Sequence, residues 1–110
     1  MAEEEEPFQR IDVATAKKMI EAGGYRLIDV REPHEFVTGH APGAELIPLN
    51  DILSKPSEHI RPAEKTIFIC QMGSRSSVAA EMAAAVGAND IYNVEGGTAE
   101  WIKAGYPVDK

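Results

Sequence analysis

One short segment concentrates the residues of this chain that could do nucleophilic chemistry. Residues 70–76 read CQMGSRS and contain the single cysteine among 110 residues. They follow an apolar run at residues 66–69 and precede an alanine-rich pattern typical of a helix. A glycine-containing turn from a strand into a helix directs backbone N–H groups and the positive end of the helix at one point. We therefore predict that this turn stabilises an anionic sulfur on Cys70.

The residues after Cys70 favour an anion-binding loop over a cysteine that only fills the core, the other interpretation of a lone cysteine after a buried strand. Gly73 can adopt a positive φ that turns amides inward, Arg75 offers a fixed fork of donors, and Ser74 and Ser76 supply small hydroxyls. An ordinary thiol, with a pKa near 8.5, is only a few per cent ionised at neutral pH. A reactive thiolate therefore needs such donors.

Three charged residues have supporting roles. Arg75 also has a structural interpretation as the salt-bridge partner of Asp29 or of a glutamate, and both roles are compatible because a guanidinium has five donors. Asp29 and Arg31 stand at and just after the end of another apolar run. We expect them to brace the site rather than to react.

Short apolar runs alternate with helical patterns along the whole chain. We predict strands at residues 8–11, 27–30, 45–49, 66–69 and 91–94. Helices are expected after an Asp12 cap, at residues 33–38, from a cap at Asn50 or Asp51 to Ser54, and at residues 76–86 and 98–104, with residues 55–65 irregular. This alternation predicts an α/β fold, with a mostly parallel central sheet and helices on both faces. Functional loops then share the carboxyl edge of the sheet, which places Cys70, Arg31 and residues 95–97 together.

Within the helix predicted at residues 76–86, four side chains fall on overlapping faces at helical spacing. They are Val78, Met82, Ala85 and Val86. We interpret this stripe as core packing.

Composition narrows the classes of partner. The net charge is −7, and residues 1–7 are rich in glutamate, which predicts a flexible acidic tail before a domain at residues 8–110. Such a charge makes nucleic acid and anionic membranes poor partners. The N-terminus lacks the basic and apolar pattern of a secretory signal, and we expect a cytoplasmic protein that is monomeric by default. His34, His40 and His59 show no metal-site spacing, so no metal is expected.

Three motifs, in order, resemble the single-domain rhodaneses, the thiosulfate sulfurtransferase family. The first reads LIDVRE at residues 27–32, with GHAPGA at 39–44 and IPL at 47–49. The second is Cys70-x-x-Gly73-x-Arg75-Ser76, and the third reads VEGG at 94–97, followed by Trp101. The resemblance covers residues 11–108. It implies a rhodanese-like fold in which a cysteine accepts a sulfane sulfur as a persulfide and passes it to an acceptor.

Carried over by position, Cys70 is the catalytic nucleophile and sulfur carrier. The resemblance also implies a substrate-binding loop formed by Gln71, Met72, Gly73, Ser74, Arg75 and Ser76. The donor would be a small sulfur anion such as thiosulfate, and the acceptor cyanide, a thiol or a protein. No metal or organic cofactor is implied. These expectations require an accessible loop whose amides, rather than its carbonyls, face the sulfur.

Two other functions remain open. Related cysteine-dependent phosphatases and arsenate reductases also present a thiolate and an arginine, but the resemblance assigns them five residues between the two, whereas Cys70 and Arg75 enclose four. A non-catalytic rhodanese-like interaction module is the second alternative, since a fold need not carry activity. Such modules commonly lack the cysteine.

Overall fold

The computed structural model describes residues 6–110, which form five strands and six helices that alternate except between the third and fourth strands, where two helices follow one another directly. The strands are β1 (Gln9–Ile11), β2 (Tyr25–Asp29), β3 (Glu45–Leu46), β4 (Lys65–Ile69) and β5 (Ile91–Val94). The helices are α1 (Val13–Ala22), α2 (Pro33–Phe36), α3 (Leu49–Ser54), α4 (Pro56–His59), α5 (Ser74–Ala85) and α6 (Gly97–Lys103). Most of the predicted tail, residues 1–5, lies outside the described residues.

The strands form one sheet in the order β1-β5-β4-β2-β3, and every pair of neighbours is parallel. Strand β4 lies at the centre, with Ile69 opposite Asp29 of β2 and Phe68 opposite Asn93 of β5. The predicted α/β fold with a parallel sheet is confirmed. Because the strands share one direction, the segments after β2, β4 and β5 meet at the same carboxyl edge.

Helices cover both faces of this sheet, and side chains alternate between two cores as the period of a strand requires. Along β4, Phe68 and Cys70 belong to the core beneath α3 and α5. Ile67 and Ile69 belong to the opposite core, beneath α1 and α6, together with Trp101. The alternation therefore places the Cys70 side chain on the face covered by α5.

The buried face of α5 differs from the predicted stripe. Val78 is 42% exposed and Ala85 is also exposed, although Met82 and Val86 do pack partly against the core. The fully buried residues of the helix are Ser76, Ala79, Ala80 and Ala83. The three alanines lie on the same helical face as Ser76. Because the hydroxyl of Ser76 is hydrogen-bonded to Cys70, this contact determines which face of the helix is turned toward the sheet. The alanines then let the helix lie close to the sheet.

Smaller differences occur in the middle of the chain. Helix α3 begins at Leu49, directly after Pro48, so the predicted cap at Asn50 or Asp51 is wrong. The stretch predicted as irregular contains α4, with Pro56 at its first position. Proline is tolerated there because the N–H at the first position of a helix has no partner within the helix. Strand β3 is shorter than predicted.

Candidate active site

The turn between β4 and α5 holds the cysteine at the carboxyl edge of the sheet. Cys70 directly follows β4, and Gly73 immediately precedes α5 with a φ of 109°. This left-handed conformation favours glycine. A Cβ atom on Gly73 would lie 3.4 Å from the backbone nitrogen of Gly96, which is ordinary van der Waals contact, so the positive φ is what requires glycine. Glycine therefore allows the chain to turn within three residues while lying against the turn that precedes α6.

The sulfur of Cys70 accepts hydrogen bonds from inside this turn. The backbone N–H of Gly73 donates to Sγ at 3.1 Å, and the Ser76 hydroxyl donates at 3.3 Å. Burial raises the pKa of Cys70, but the Ser76 hydroxyl and the backbone N–H groups of Ser76, Gly73 and Met72 together bring the pKa below its ordinary value. The local environment thus favours the thiolate.

The carbonyl groups of the same turn point elsewhere because α6 holds them. The N–H and hydroxyl of Thr98 donate to the Cys70 carbonyl at 2.8 and 3.0 Å. The N–H of Ala99 donates to the Gln71 carbonyl at 3.0 Å. A Cβ atom on Gly97 would lie 2.5 Å from the Cys70 carbonyl oxygen, so only glycine permits this approach. The first turn of α6 therefore binds the loop carbonyls and leaves the amides to the sulfur.

A buried asparagine of β5 supports the loop from below. The Ser76 hydroxyl contacts the side-chain oxygen of Asn93, and the Asn93 amide donates to the Gly73 carbonyl at 3.2 Å. Asn93 is fully buried. Its carboxamide therefore links the sheet to Gly73 in the cysteine loop and to Ser76 in the first turn of α5.

Asp29 and Arg31 form a buried ion pair beside the loop. Two guanidinium nitrogens of Arg31 donate to the Asp29 carboxylate at 2.9 to 3.1 Å, and both side chains have at most 1% exposure. Arg31 also donates to the Gln71 side-chain oxygen at 3.1 Å and to the Gly39 carbonyl at 2.9 Å. The pair joins the end of β2 to the cysteine loop.

Arg75 binds a glutamate on α2, and its alternative pairing with Asp29 is wrong. Its two terminal nitrogens donate to the Glu35 carboxylate at 2.7 and 2.9 Å. Asp29 is already paired with Arg31. The hydrogen bonds from Arg75 lower the pKa of Glu35 to about 2, and those to Glu35 raise the pKa of Arg75. Both groups are therefore charged at neutral pH.

The accessibility of the loop differs from the expectation. Cys70 is 0% exposed, because the turn and the first residues of α5 close around the sulfur. Met72 is 67% exposed, and Ser74 is also exposed. The loop therefore presents its outer residues to solvent and keeps its sulfur enclosed.

No helix between Glu6 and Lys110 is long and apolar enough to cross a membrane. Over the same part of the chain, histidine, cysteine and acidic side chains form no group of three that could hold a metal ion.

The profile of the Rhodanese-like domain family matches residues 12–104, most of the chain. The chain belongs to the rhodanese family. Among curated relatives of this rhodanese, thiosulfate sulfurtransferase 16, a chloroplastic protein of Arabidopsis thaliana, is 34% identical over 97% of this chain and 98% of its own length. The uncharacterized protein YqhL of Bacillus subtilis is 43% identical, but the match covers 71% of this chain and 64% of YqhL.

A solved structure resembles the rhodanese over nearly its whole length. The rhodanese-related protein of Thermoplasma volcanium superposes with a TM-score of 0.82 at 34% identity, covering 93% of this chain and 98% of that protein. The likeness agrees with the sheet topology described above.

The sequence did not predict that Asn93, Thr98 and Ala99 bond to the loop of this rhodanese, nor which glutamate pairs with Arg75. Asn93 lies 20 residues after Gly73, and Thr98 lies 28 residues after Cys70. A signal for Asn93 was present, since it is a polar residue inside the apolar strand at residues 91–94. Buried polar groups are nearly always hydrogen-bonded, so such a residue must have partners nearby. Thr98 carries no comparable signal.

Proposed function

We propose that this member of the rhodanese family is a sulfurtransferase that carries sulfane sulfur as a persulfide on Cys70. The donor is a small anion such as thiosulfate, and the acceptor is cyanide or a thiol. The observation that carries the proposal is the pair of hydrogen bonds donated to Sγ by Gly73 and Ser76. Donors directed at that point stabilise a thiolate before transfer and a terminal persulfide anion after it.

The reaction consists of two displacements at sulfur. The Cys70 thiolate attacks the sulfane sulfur of thiosulfate, the S–S bond of thiosulfate breaks, and sulfite leaves with the bonding electron pair. An acceptor such as cyanide then attacks the outer sulfur of the persulfide, giving thiocyanate and regenerating the thiolate. No net oxidation occurs, and no cofactor is required by this balance.

The surrounding residues have distinct proposed roles in these steps. The amides of Gln71, Met72 and Gly73, with those of Ser74 and Ser76, surround the transferred sulfur. Arg75 binds the anionic end of the donor, since charge-assisted bonds to anions are among the stronger polar contacts. Asp29 and Arg31 hold the loop in place and take no part in bond making.

The enclosed sulfur adds one requirement to this proposal. Because Cys70 is fully buried, each transfer needs a brief opening of the loop, whose outer residues Met72 and Ser74 are exposed. Burial of the persulfide between transfers would protect it from solvent. A cytoplasmic location and a monomeric state remain predictions from composition.

Steady-state formation of thiocyanate tests the proposed function. The wild-type protein should convert thiosulfate and cyanide to thiocyanate with the parallel double-reciprocal lines of a two-step exchange. Cys70→Ser should lose the activity by at least about a thousandfold, as expected when a nucleophile is removed. A wild-type protein that makes no thiocyanate and forms no persulfide from any donor would favour the interaction module. Turnover of aryl phosphates instead would favour the phosphatase alternative.

A further inference from the structure

The donor-binding fork of Arg75 is occupied in the structure by a carboxylate of the protein itself. Its terminal nitrogens lie 2.7 and 2.9 Å from the two oxygens of Glu35, a bidentate pairing. The Arg75 side chain is 34% exposed and that of Glu35 is 23% exposed, so the pair lies at the rim of the loop. A donor anion that binds Arg75 in the same way must displace Glu35.

Glu35 is held at this position by its own helix. One of its carboxylate oxygens also accepts the backbone N–H of Glu32 at 3.0 Å, which satisfies a donor at the start of α2. The Arg31 guanidinium approaches the Glu35 carbonyl at 3.4 Å, which ties this turn to the buried ion pair with Asp29. The carboxylate is therefore a fixed part of the loop rim, and with a pKa near 2 it remains ionised at neutral pH.

The charges at the loop rim disfavour a doubly charged donor. The single positive charge of Arg75 is balanced by the carboxylate of Glu35, so the pair offers a donor no net positive charge, and ionisation of Cys70 makes the site anionic. The protein as a whole is acidic and provides no attraction from a distance. Repulsion grows with the charge of the ligand, and thiosulfate carries two negative charges.

Given the proposed sulfurtransferase function, we propose that Glu35 is a specificity-determining residue. It competes with the sulfur donor for Arg75 and disfavours dianionic donors relative to donors of lower charge. The class of donor favoured by the intact site is a sulfane sulfur attached to a group with at most one negative charge, such as an alkyl persulfide or an alkyl thiosulfonate.

Sulfur transfer from such a donor balances in the same way as transfer from thiosulfate. The Cys70 thiolate attacks the terminal sulfur of methanethiosulfonate, the bond between its two sulfurs breaks, and methanesulfinate leaves with the electron pair. The product is the same persulfide on Cys70. Methanethiosulfonate and thiosulfate therefore differ in charge while sharing the bond that breaks.

The test compares these two donors with cyanide as the common acceptor. Glu35→Gln keeps the shape of the side chain and removes its charge, and we expect kcat/KM for thiosulfate to rise about fivefold, because pairs near a surface contribute up to about 1 kcal/mol. The rise for the monoanionic methanethiosulfonate should be about twofold, because the interaction scales with ligand charge. Glu32→Gln is the control, because it removes a charge from the same turn that is not paired with Arg75. The ratio of kcat/KM for thiosulfate to kcat/KM for methanethiosulfonate should be unchanged in this variant.

The inference is wrong if kcat/KM for thiosulfate falls in Glu35→Gln, or if kcat/KM for both donors changes by the same factor in that variant. It is also wrong if Glu32→Gln changes kcat/KM as much as Glu35→Gln does. Thermal unfolding of each variant confirms that it is folded at the assay temperature. If the wild-type protein accepts sulfur from neither donor, the proposed function itself fails. A wild-type protein that accepts sulfur while Glu35→Gln behaves identically refutes only the role of Glu35.

Discussion

The hydroxyl of Ser76 lies between two acceptors and has a single proton. Cys70 Sγ lies 3.3 Å from its oxygen, and the side-chain oxygen of Asn93 lies on the other side. A hydroxyl can donate to only one of them fully at a time. When Cys70 ionises, donation to the sulfur becomes more favourable than donation to Asn93, since a hydrogen bond to an anion is stronger than one to a neutral amide. Ser76 can thus respond to the charge of Cys70.

Removing this hydroxyl should weaken the acidity of Cys70. The rate of alkylation by iodoacetamide follows the thiolate fraction, and the wild-type profile should have a midpoint below the value near 8.5 of a free thiol. In Ser76→Ala the thiolate loses a donor, so the midpoint should rise by about one pH unit, equal to about 1.4 kcal/mol. The midpoint is the diagnostic quantity because burial slows alkylation at every pH.

Ser77→Ala is the matched control for this change. The Ser77 hydroxyl donates to the Ser74 carbonyl at 2.7 Å, one turn away, and has no bond to the sulfur. Its profile should coincide with that of the wild type. An unshifted midpoint in Ser76→Ala would show that the hydroxyl does not stabilise the thiolate.

The first turn of α6 and the cysteine loop form one unit, although 28 residues separate Cys70 from Thr98. Glycine at position 97 lets the backbone of this helix approach the loop closely enough for Thr98 and Ala99 to bind two carbonyls. The orientation of the loop amides toward the sulfur therefore depends on a distant helix as much as on the local sequence. Activity and stability should both respond to a change at this contact.

A methyl group at position 97 tests this dependence. In Gly97→Ala the new Cβ would lie 2.5 Å from the Cys70 carbonyl oxygen, so the loop must move. The control is Gly87→Ala, since Gly87 also has a positive φ, 104°, but has open space around it. The free energy of unfolding, measured in urea, should fall by about 1–3 kcal/mol more in Gly97→Ala than in Gly87→Ala. An equal loss of unfolding free energy in both variants would mean that the positive φ alone, and not the close approach to the Cys70 carbonyl, requires glycine at position 97.

Over the whole molecule, the order of strands and helices could be predicted because its signals are local. The apolar runs ending at Val30, Ile69 and Val94 are each followed by turn residues, and the parallel arrangement brings those turns to one edge. The position of Cys70 at that edge follows from the same pattern. Gly73 likewise has the positive φ that the turn requires.

Features that depend on distant parts of the chain could not be predicted. The sequence left Arg75 free to pair with Asp29 or with a glutamate, and 40 residues separate it from the observed partner, Glu35. The rotation of α5 was also mispredicted, because periodicity identified the apolar Val78 while the contact of Ser76 with the sulfur decides which face is buried. Burial of Cys70 itself results from the same closure of helix and loop.

The mass of the intact protein after incubation with thiosulfate tests the central claim most directly. We predict that the wild-type protein gains one sulfur atom, that cyanide removes it, and that Cys70→Ser gains none. Because each protein carries a single cysteine, or none in the variant, the added mass identifies the site without ambiguity. A wild-type mass that stays unchanged with both thiosulfate and methanethiosulfonate, in protein shown to be folded, would contradict a persulfide held at Cys70.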